Sequence, residues 1–142
     1  METAFYNRAT EKERIADLHQ GPGAKFGVVY GRRRCGKSTL LQRTMRPVDI
    51  YYLAAPGEAV FQRRILAETL SEIFPGFDLP EYSSWQILLL SLNQRANERF
   101  TLILDEFPYL IKSDASLPGI LQGLLEDRSA LNYNLILCGS SQ

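Results

Sequence analysis

An α/β sandwich, with a parallel sheet of about four strands between layers of helix, is the fold this 142-residue sequence predicts. Three observations point to it. Short apolar runs rich in β-formers alternate with helix-like stretches along the chain, as parallel strands joined by helical crossovers require. One of these runs, Phe26-Gly27-Val28-Val29-Tyr30, opens directly into a glycine-bounded segment, Gly31-Arg32-Arg33-Arg34-Cys35-Gly36-Lys37-Ser38, and then into helix-like Thr39 to Met45. Another run, Thr101-Leu102-Ile103-Leu104, ends in two adjacent carboxylates, Asp105-Glu106.

In chain order, Thr10-Glu11-Lys12-Glu13 forms a capping box that opens a short helix stopped at Gly21-Pro22-Gly23. Phe26 to Tyr30 is the first strand and Ser38 to Met45 the first crossover helix. Pro47 breaks the chain, and Ile50-Tyr51-Tyr52-Leu53-Ala54-Ala55 reads as a second, buried strand. After the Pro56-Gly57 turn, an amphipathic helix begins at Glu58 with Phe61, Ile65, Leu66, Thr69, Leu70, Ile73 and Phe74 on its apolar side, ending at Pro75-Gly76. Residues 75–84 are a loop. Ser83 or Ser84 caps the next helix, which turns Leu88, Leu89 and Leu92 inward. The third strand is 101–106, after which Pro108 forces the chain out of the sheet. Pro118 suits the first turn of a further helix, with Ile120, Leu121, Leu124 and Leu125 inward. Leu135 to Cys138 is the fourth strand, followed by Gly139-Ser140-Ser141-Gln142.

Composition narrows the class. Apolar residues at 45% and charged residues at 23% are ordinary for a globular domain, and the length is that of one. Sixteen basic residues balance sixteen acidic ones, so no global charge argues for nucleic acid or an anionic membrane. Two cysteines make no disulfide framework and suit a reducing cytosol. The chain opens on acidic, polar Met1-Glu2-Thr3, and its longest apolar run, Ile87 to Leu90, is far short of a membrane span. The expectation is a cytoplasmic protein with no membrane partner. The lone histidine, His19, has no partner in the sequence to give it a catalytic role.

The segment 31–38 fits G-x-x-x-x-G-K-[ST], and the spacing has a physical reason. Glycines at both ends let the backbone curl with its N–H groups inward as an anion nest, and the helix opened by Ser38 and Thr39 adds its unpaired N–H groups and dipole. Gly31, Arg32, Arg33, Arg34, Cys35, Gly36, Lys37, Ser38 and Thr39 are thus the nucleotide-binding stretch, or Walker A segment. Lys37 reaches the β- and γ-phosphates and Ser38 ligates Mg²⁺. The arginine side chains point away by default, because the backbone carries the phosphate contacts. Asp105 and Glu106 close an apolar strand 68 positions after Lys37, which makes 101–106 a Walker B segment. In this reading Asp105 binds Mg²⁺, directly or through its water shell, and Glu106 orients and deprotonates the water that attacks the γ-phosphorus. Ser140 and Ser141 are either sensors of the γ-phosphate or a Gly-Ser-Ser loop without chemistry; the residues alone leave both open. Three functions remain: an ATP hydrolase, a nucleotide-responsive interaction module with little or no turnover, and a small-molecule kinase, the last disfavoured by the Glu beside the metal carboxylate.

Phe5-Tyr6-Asn7-Arg8, Val29 to Ser38, Leu104-Asp105-Glu106-Phe107-Pro108-Tyr109-Leu110 and Leu137-Cys138-Gly139-Ser140-Ser141 together resemble the archaeal-type ATPase family, a prokaryotic branch of the AAA+ superfamily grouped with signal-transduction ATPases. The resemblance spans the whole chain. It implies ATP and Mg²⁺ as cofactors, and a three-layer P-loop sandwich whose phosphate-loop strand lies beside the sensor strand, then the Walker B strand, then the second strand. It also implies that Phe5 and Arg8 lie near the adenine. Members of that family continue into a fifth strand, a helical lid and further domains. The expectation is therefore the N-terminal portion of an ATPase domain over 1–142, weakly active or inactive alone, that self-associates through the open edge of its first strand. A protein or DNA partner of the full-length family is left open.

Overall fold

Four parallel strands, β1 (Phe26–Arg32), β2 (Ile50–Leu53), β3 (Phe100–Asp105) and β4 (Tyr133–Ser141), lie side by side in the order β1-β4-β3-β2. This is the order that the resemblance implies. The coordinates are a computed structural model, which describes residues 24–32, 42–127 and 130–141. Between the strands run α1 (Ala59–Leu70), α2 (Trp85–Arg95), α3 (Phe107–Ser113) and α4 (Leu117–Leu125). The capping-box helix expected at residue 10 lies outside the described residues, and residues 42–44 are the described part of the first crossover helix. No helix among the described residues is long and apolar enough to cross a membrane.

Among the described residues, the two sides of the sheet are covered unequally. On one side Ile50, Tyr52, Phe100, Leu102, Leu104, Tyr133, Leu135 and Leu137 meet Leu66 and Leu70 of α1, Trp85, Leu88, Leu89 and Leu92 of α2, Leu110 of α3 and Leu117 and Leu121 of α4. Each fully buried leucine there contributes roughly 2 kcal/mol of transfer free energy. On the other side Val29, Ile103, Ile136 and Cys138 form a smaller cluster, joined by Met45 and Tyr51. Because both faces are apolar, β3 is buried at all six positions and shows no alternation. Of the two serines expected to cap α2, Ser84 does so, its hydroxyl accepting from the Ile87 N–H at 3.1 Å.

Three expectations are corrected. The helix after Glu58 is rotated: Gln62, Leu66, Ala67 and Leu70 face inward, whereas Phe61 and Ile65 are 55% and 50% exposed and Ile73 is also exposed. The cause is polar. The Tyr52 hydroxyl donates to Gln62 Oε1 at 2.5 Å and Gln62 Nε2 donates to the Ala55 carbonyl, so a glutamine takes a position that a period of apolar residues assigns to solvent. Pro108 does more than eject the chain from the sheet. It sits in the first turn of α3, where its missing N–H has no partner to lose. Finally, strands extend into both presumed loops: β1 runs through Gly31 and Arg32, and β4 through Ser140 and Ser141, because Gly31 pairs with Ser140 and Arg32 with Ser141 in one continuous ladder.

At the opposite, N-terminal edge, a polar ladder crosses all four strands. Buried Asp49, just before β2, accepts the Thr101 N–H of β3 at 2.8 Å on Oδ1 and the Arg46 N–H at 2.7 Å on Oδ2. The Thr101 hydroxyl accepts from Asn134 Nδ2 of β4 at 3.2 Å, and Asn134 Oδ1 accepts the N–H of Lys25, just before β1, at 2.9 Å. Removing one member strands the others in an apolar interior. Replacing Asn134 by Ala is expected to cost about 2 kcal/mol in urea unfolding and to lower Tm by roughly 6 °C; a loss below about 0.5 kcal/mol would show that the ladder carries no such weight.

Candidate functional site

Parallel strands bring all their C-terminal ends to one edge of the sheet, the edge at which open α/β sheets take ligands. Here that edge gathers Gly31 and Arg32 of β1, Ser140 and Ser141 of β4, Asp105 of β3 and Leu53 of β2, the last paired with Asp105. The candidate loop therefore leaves the sheet beside the candidate sensor serines, one strand away from the candidate metal carboxylate. Of the loop's nucleotide-binding residues, Arg33 to Thr39 lie outside the described residues, as do Phe5 and Arg8.

Asp105 is fully buried. It follows Ile103 on the same side of the strand and so occupies the face that carries the Val29, Ile103, Ile136 and Cys138 cluster. Met45, directly after helical residues 42–44, packs on that cluster. The described residues flanking the loop thus share the site's surroundings in part: β1 ends at the same edge as Asp105, and Met45 packs on the same face of the sheet. The carboxylate is held at both oxygens. Oδ1 accepts the Glu106 N–H at 2.8 Å, and Oδ2 accepts the Tyr51 hydroxyl. Its backbone is fixed as well, the carbonyl accepting the Ala54 N–H at 2.9 Å.

Glu106 stands at the junction of β3 and α3, partly exposed, with φ 55° and ψ 43°. It is the non-glycine residue with positive φ among the described residues. For a side chain with a Cβ this left-handed conformation costs about 1 kcal/mol or more, and strain of this kind gathers at functional turns. The turn has a geometric effect: it ends the strand within one residue, starts α3 at Phe107 and aims the Glu106 N–H back at Asp105. Glu106 makes no side-chain cap to α3, so the strain is not offset by capping.

Asp105 and Glu106 stand out in the sequence, whereas Tyr51 reads there only as a β-former. Its part in the site depends on the β2–β3 register, in which Tyr51 pairs with Ile103 and so lies on the Asp105 face, two residues short of it. The alternation of Tyr51 and Tyr52 was the available signal, since neighbours on a strand point to opposite sides.

A family model for ATPase domains predominantly from Archaea matches residues 5–142. The uncharacterized protein MJECL04 of Methanocaldococcus jannaschii is 27% identical over 139 residues, covering 96% of this chain and 30% of its own length. Among solved structures, the Aeropyrum pernix ORC2 protein in ADPNP–ADP complexes superposes with a TM-score of 0.62 at 18% identity, over 99% of this chain and 45% of that one. Drosophila ORC bound to DNA gives 0.62 at 20% identity (95% and 38%), and the Aeropyrum pernix ORC1 protein in complex with DNA gives 0.59 at 17% (95% and 39%). At these identities the structural likeness establishes the fold. The chain spans less than half the length of each of these proteins.

The strained turn yields a stability prediction. Glu106→Gly is expected to raise unfolding free energy by about 1 kcal/mol, read by equilibrium denaturation; a destabilised variant would show that the left-handed turn stores no strain.

Proposed function

This chain belongs to the family of ATPase domains found predominantly in Archaea, and on that premise we propose that residues 31–38 and 101–106 are its Walker A and Walker B segments and that the intact protein hydrolyses ATP with water as the nucleophile. The observation that carries this reading is the buried, doubly held carboxylate of Asp105 at the ligand edge of the sheet, on the face to which the segment after the loop returns.

Mg²⁺ fits the donor set. Among the described residues no group of three or more His, Cys, Asp or Glu side chains gathers, which suits an ion held by one carboxylate, a hydroxyl and the nucleotide's own phosphate oxygens. Asp105 and Ser38 would hold it. When bound, the ion would supply positive charge to the triphosphate. The other work belongs to the chain. The backbone of Gly31 to Thr39, Arg32, Arg33, Arg34, Cys35 and Gly36 included, cradles the phosphates, and Lys37 brings a point charge to the β/γ bridge. Glu106 takes a proton from the attacking water, its position set by the left-handed turn. Ser140 or Ser141, in β4 level with the start of the loop, would hydrogen-bond that water or the γ-phosphate. Phe5 and Arg8 are assigned to the adenine. The outer edge of β1, where Val28 is 48% exposed and β4 is the strand's one neighbour among the described residues, is proposed as a surface for self-association.

Two measurements test these assignments. In single-turnover phosphate release, Glu106→Gln is expected to be at least about 100-fold slower than the wild type while keeping its ATP affinity, and Lys37→Ala to lose affinity. Equal phosphate release by Glu106→Gln would remove Glu106 from the chemistry, and none from the wild type would favour a nucleotide-responsive module without turnover. In sedimentation, Val28→Lys is expected to shift the chain toward monomer; an unchanged profile would exclude the β1 edge.

A further inference from the structure

We infer that Tyr51 is a positioning residue for the metal-binding carboxylate, and that its hydroxyl holds Asp105 in the orientation that receives Mg²⁺ with the nucleotide. The inference rests on the assignment of Asp105 proposed above.

The hydroxyl of Tyr51 donates to Asp105 Oδ2 while the Glu106 N–H donates to Oδ1. One donor on each oxygen fixes the carboxylate plane. The second donor comes from the backbone and is set by the left-handed turn at Glu106. The first comes from a side chain on the neighbouring strand, and nothing in β3 itself fixes where it stands.

Packing fixes it instead. Tyr51 pairs with Ile103 across the β2–β3 ladder, and its ring lies against the cluster of Val29, Ile103, Ile136 and Cys138. The ring thus acts as a rigid spacer between an apolar seat and a polar contact. The two parts separate chemically. Phenylalanine would keep the seat and the volume, and would remove only the donor. Groups that orient a metal ligand in this way typically change metal affinity by 10- to 100-fold when removed, without touching the metal or the substrate.

The test uses the full chain and a fluorescent ATP analogue, titrated with Mg²⁺, for wild type, Tyr51→Phe and Asp105→Asn. Tyr51→Phe is expected to raise the Mg²⁺ concentration at half-maximal tightening by about 10-fold, with nucleotide affinity in EDTA unchanged. Asp105→Asn is expected to abolish the Mg²⁺ dependence. If Tyr51→Phe keeps the wild-type midpoint while Asp105→Asn loses its Mg²⁺ response, the role of Tyr51 is overturned and the assignment of Asp105 stands. If Asp105→Asn keeps the wild-type midpoint, that assignment falls and the role of Tyr51 falls with it. Should Tyr51→Phe not fold, 3-fluorotyrosine at position 51 decides. Its ¹⁹F resonance is expected to move when Mg²⁺ is added to the nucleotide complex and to stay fixed in the Asp105→Asn background; a resonance indifferent to Mg²⁺ in the otherwise native chain overturns the inference.

Discussion

Register is the constraint on which this molecule depends, and the polar ladder from Asp49 through Thr101 and Asn134 to the Lys25 N–H is what sets it. A parallel sheet covered on both sides receives little register information from its apolar residues. Sliding β3 by one position would move Phe100, Leu102, Ile103 and Leu104 between two faces that are both apolar, so these residues discriminate weakly. Buried hydrogen bonds discriminate more sharply, because a slip leaves donors and acceptors without partners. Each strand start is thereby pinned to its neighbour at one edge. The opposite edge, where Asp105 lies four residues beyond Thr101 along a straight strand, inherits that alignment.

The two faces divide the labour. The face carrying α1 to α4 holds nearly all the large buried side chains, including Trp85, Phe77, Leu88 and Tyr133, and is bound internally by contacts such as the Tyr133 hydroxyl to the Leu89 carbonyl at 3.0 Å. Among the described residues, the other face has Val29, Ile103, Ile136 and Cys138, joined by Met45 and Tyr51, and the carboxylate. Substitutions on the first face act through packing and stability. On the second, packing and the site are the same contacts, as Tyr51 illustrates by touching both the apolar cluster and Asp105.

Much of this was legible in the sequence because the relevant physics is local. The Asp105-Glu106 pair at the end of an apolar run is fixed by short-range geometry, and the strand order followed from the family that the motifs resemble. The failures share a different cause. The phase of α1 turns on Gln62, whose inward position depends on Tyr52 and Ala55, remote from it in the pattern that periodicity reads. Gly139-Ser140-Ser141 has the composition of a loop but the pairing of a strand, because β1 is there to receive it. Pro108 reads as a breaker, yet the first turn of a helix tolerates it. Tyr51 was invisible as a site residue, since its role exists only once β2 and β3 are aligned.

The placement of β1 beside β4 also has a consequence for how the chain is made. The Lys25 N–H and its Asn134 acceptor are 109 positions apart, and β1 finds no other strand partner among the described residues. On a ribosome adding roughly 5–20 residues per second, the strand that launches the candidate phosphate loop waits about 5–20 s for the one that holds it. Through that interval β2, β3 and their helices can associate, while the apolar run Val28-Val29-Tyr30 has nothing to pair with. Of the four described strands, the one that launches the candidate loop is thus synthesised first and paired last.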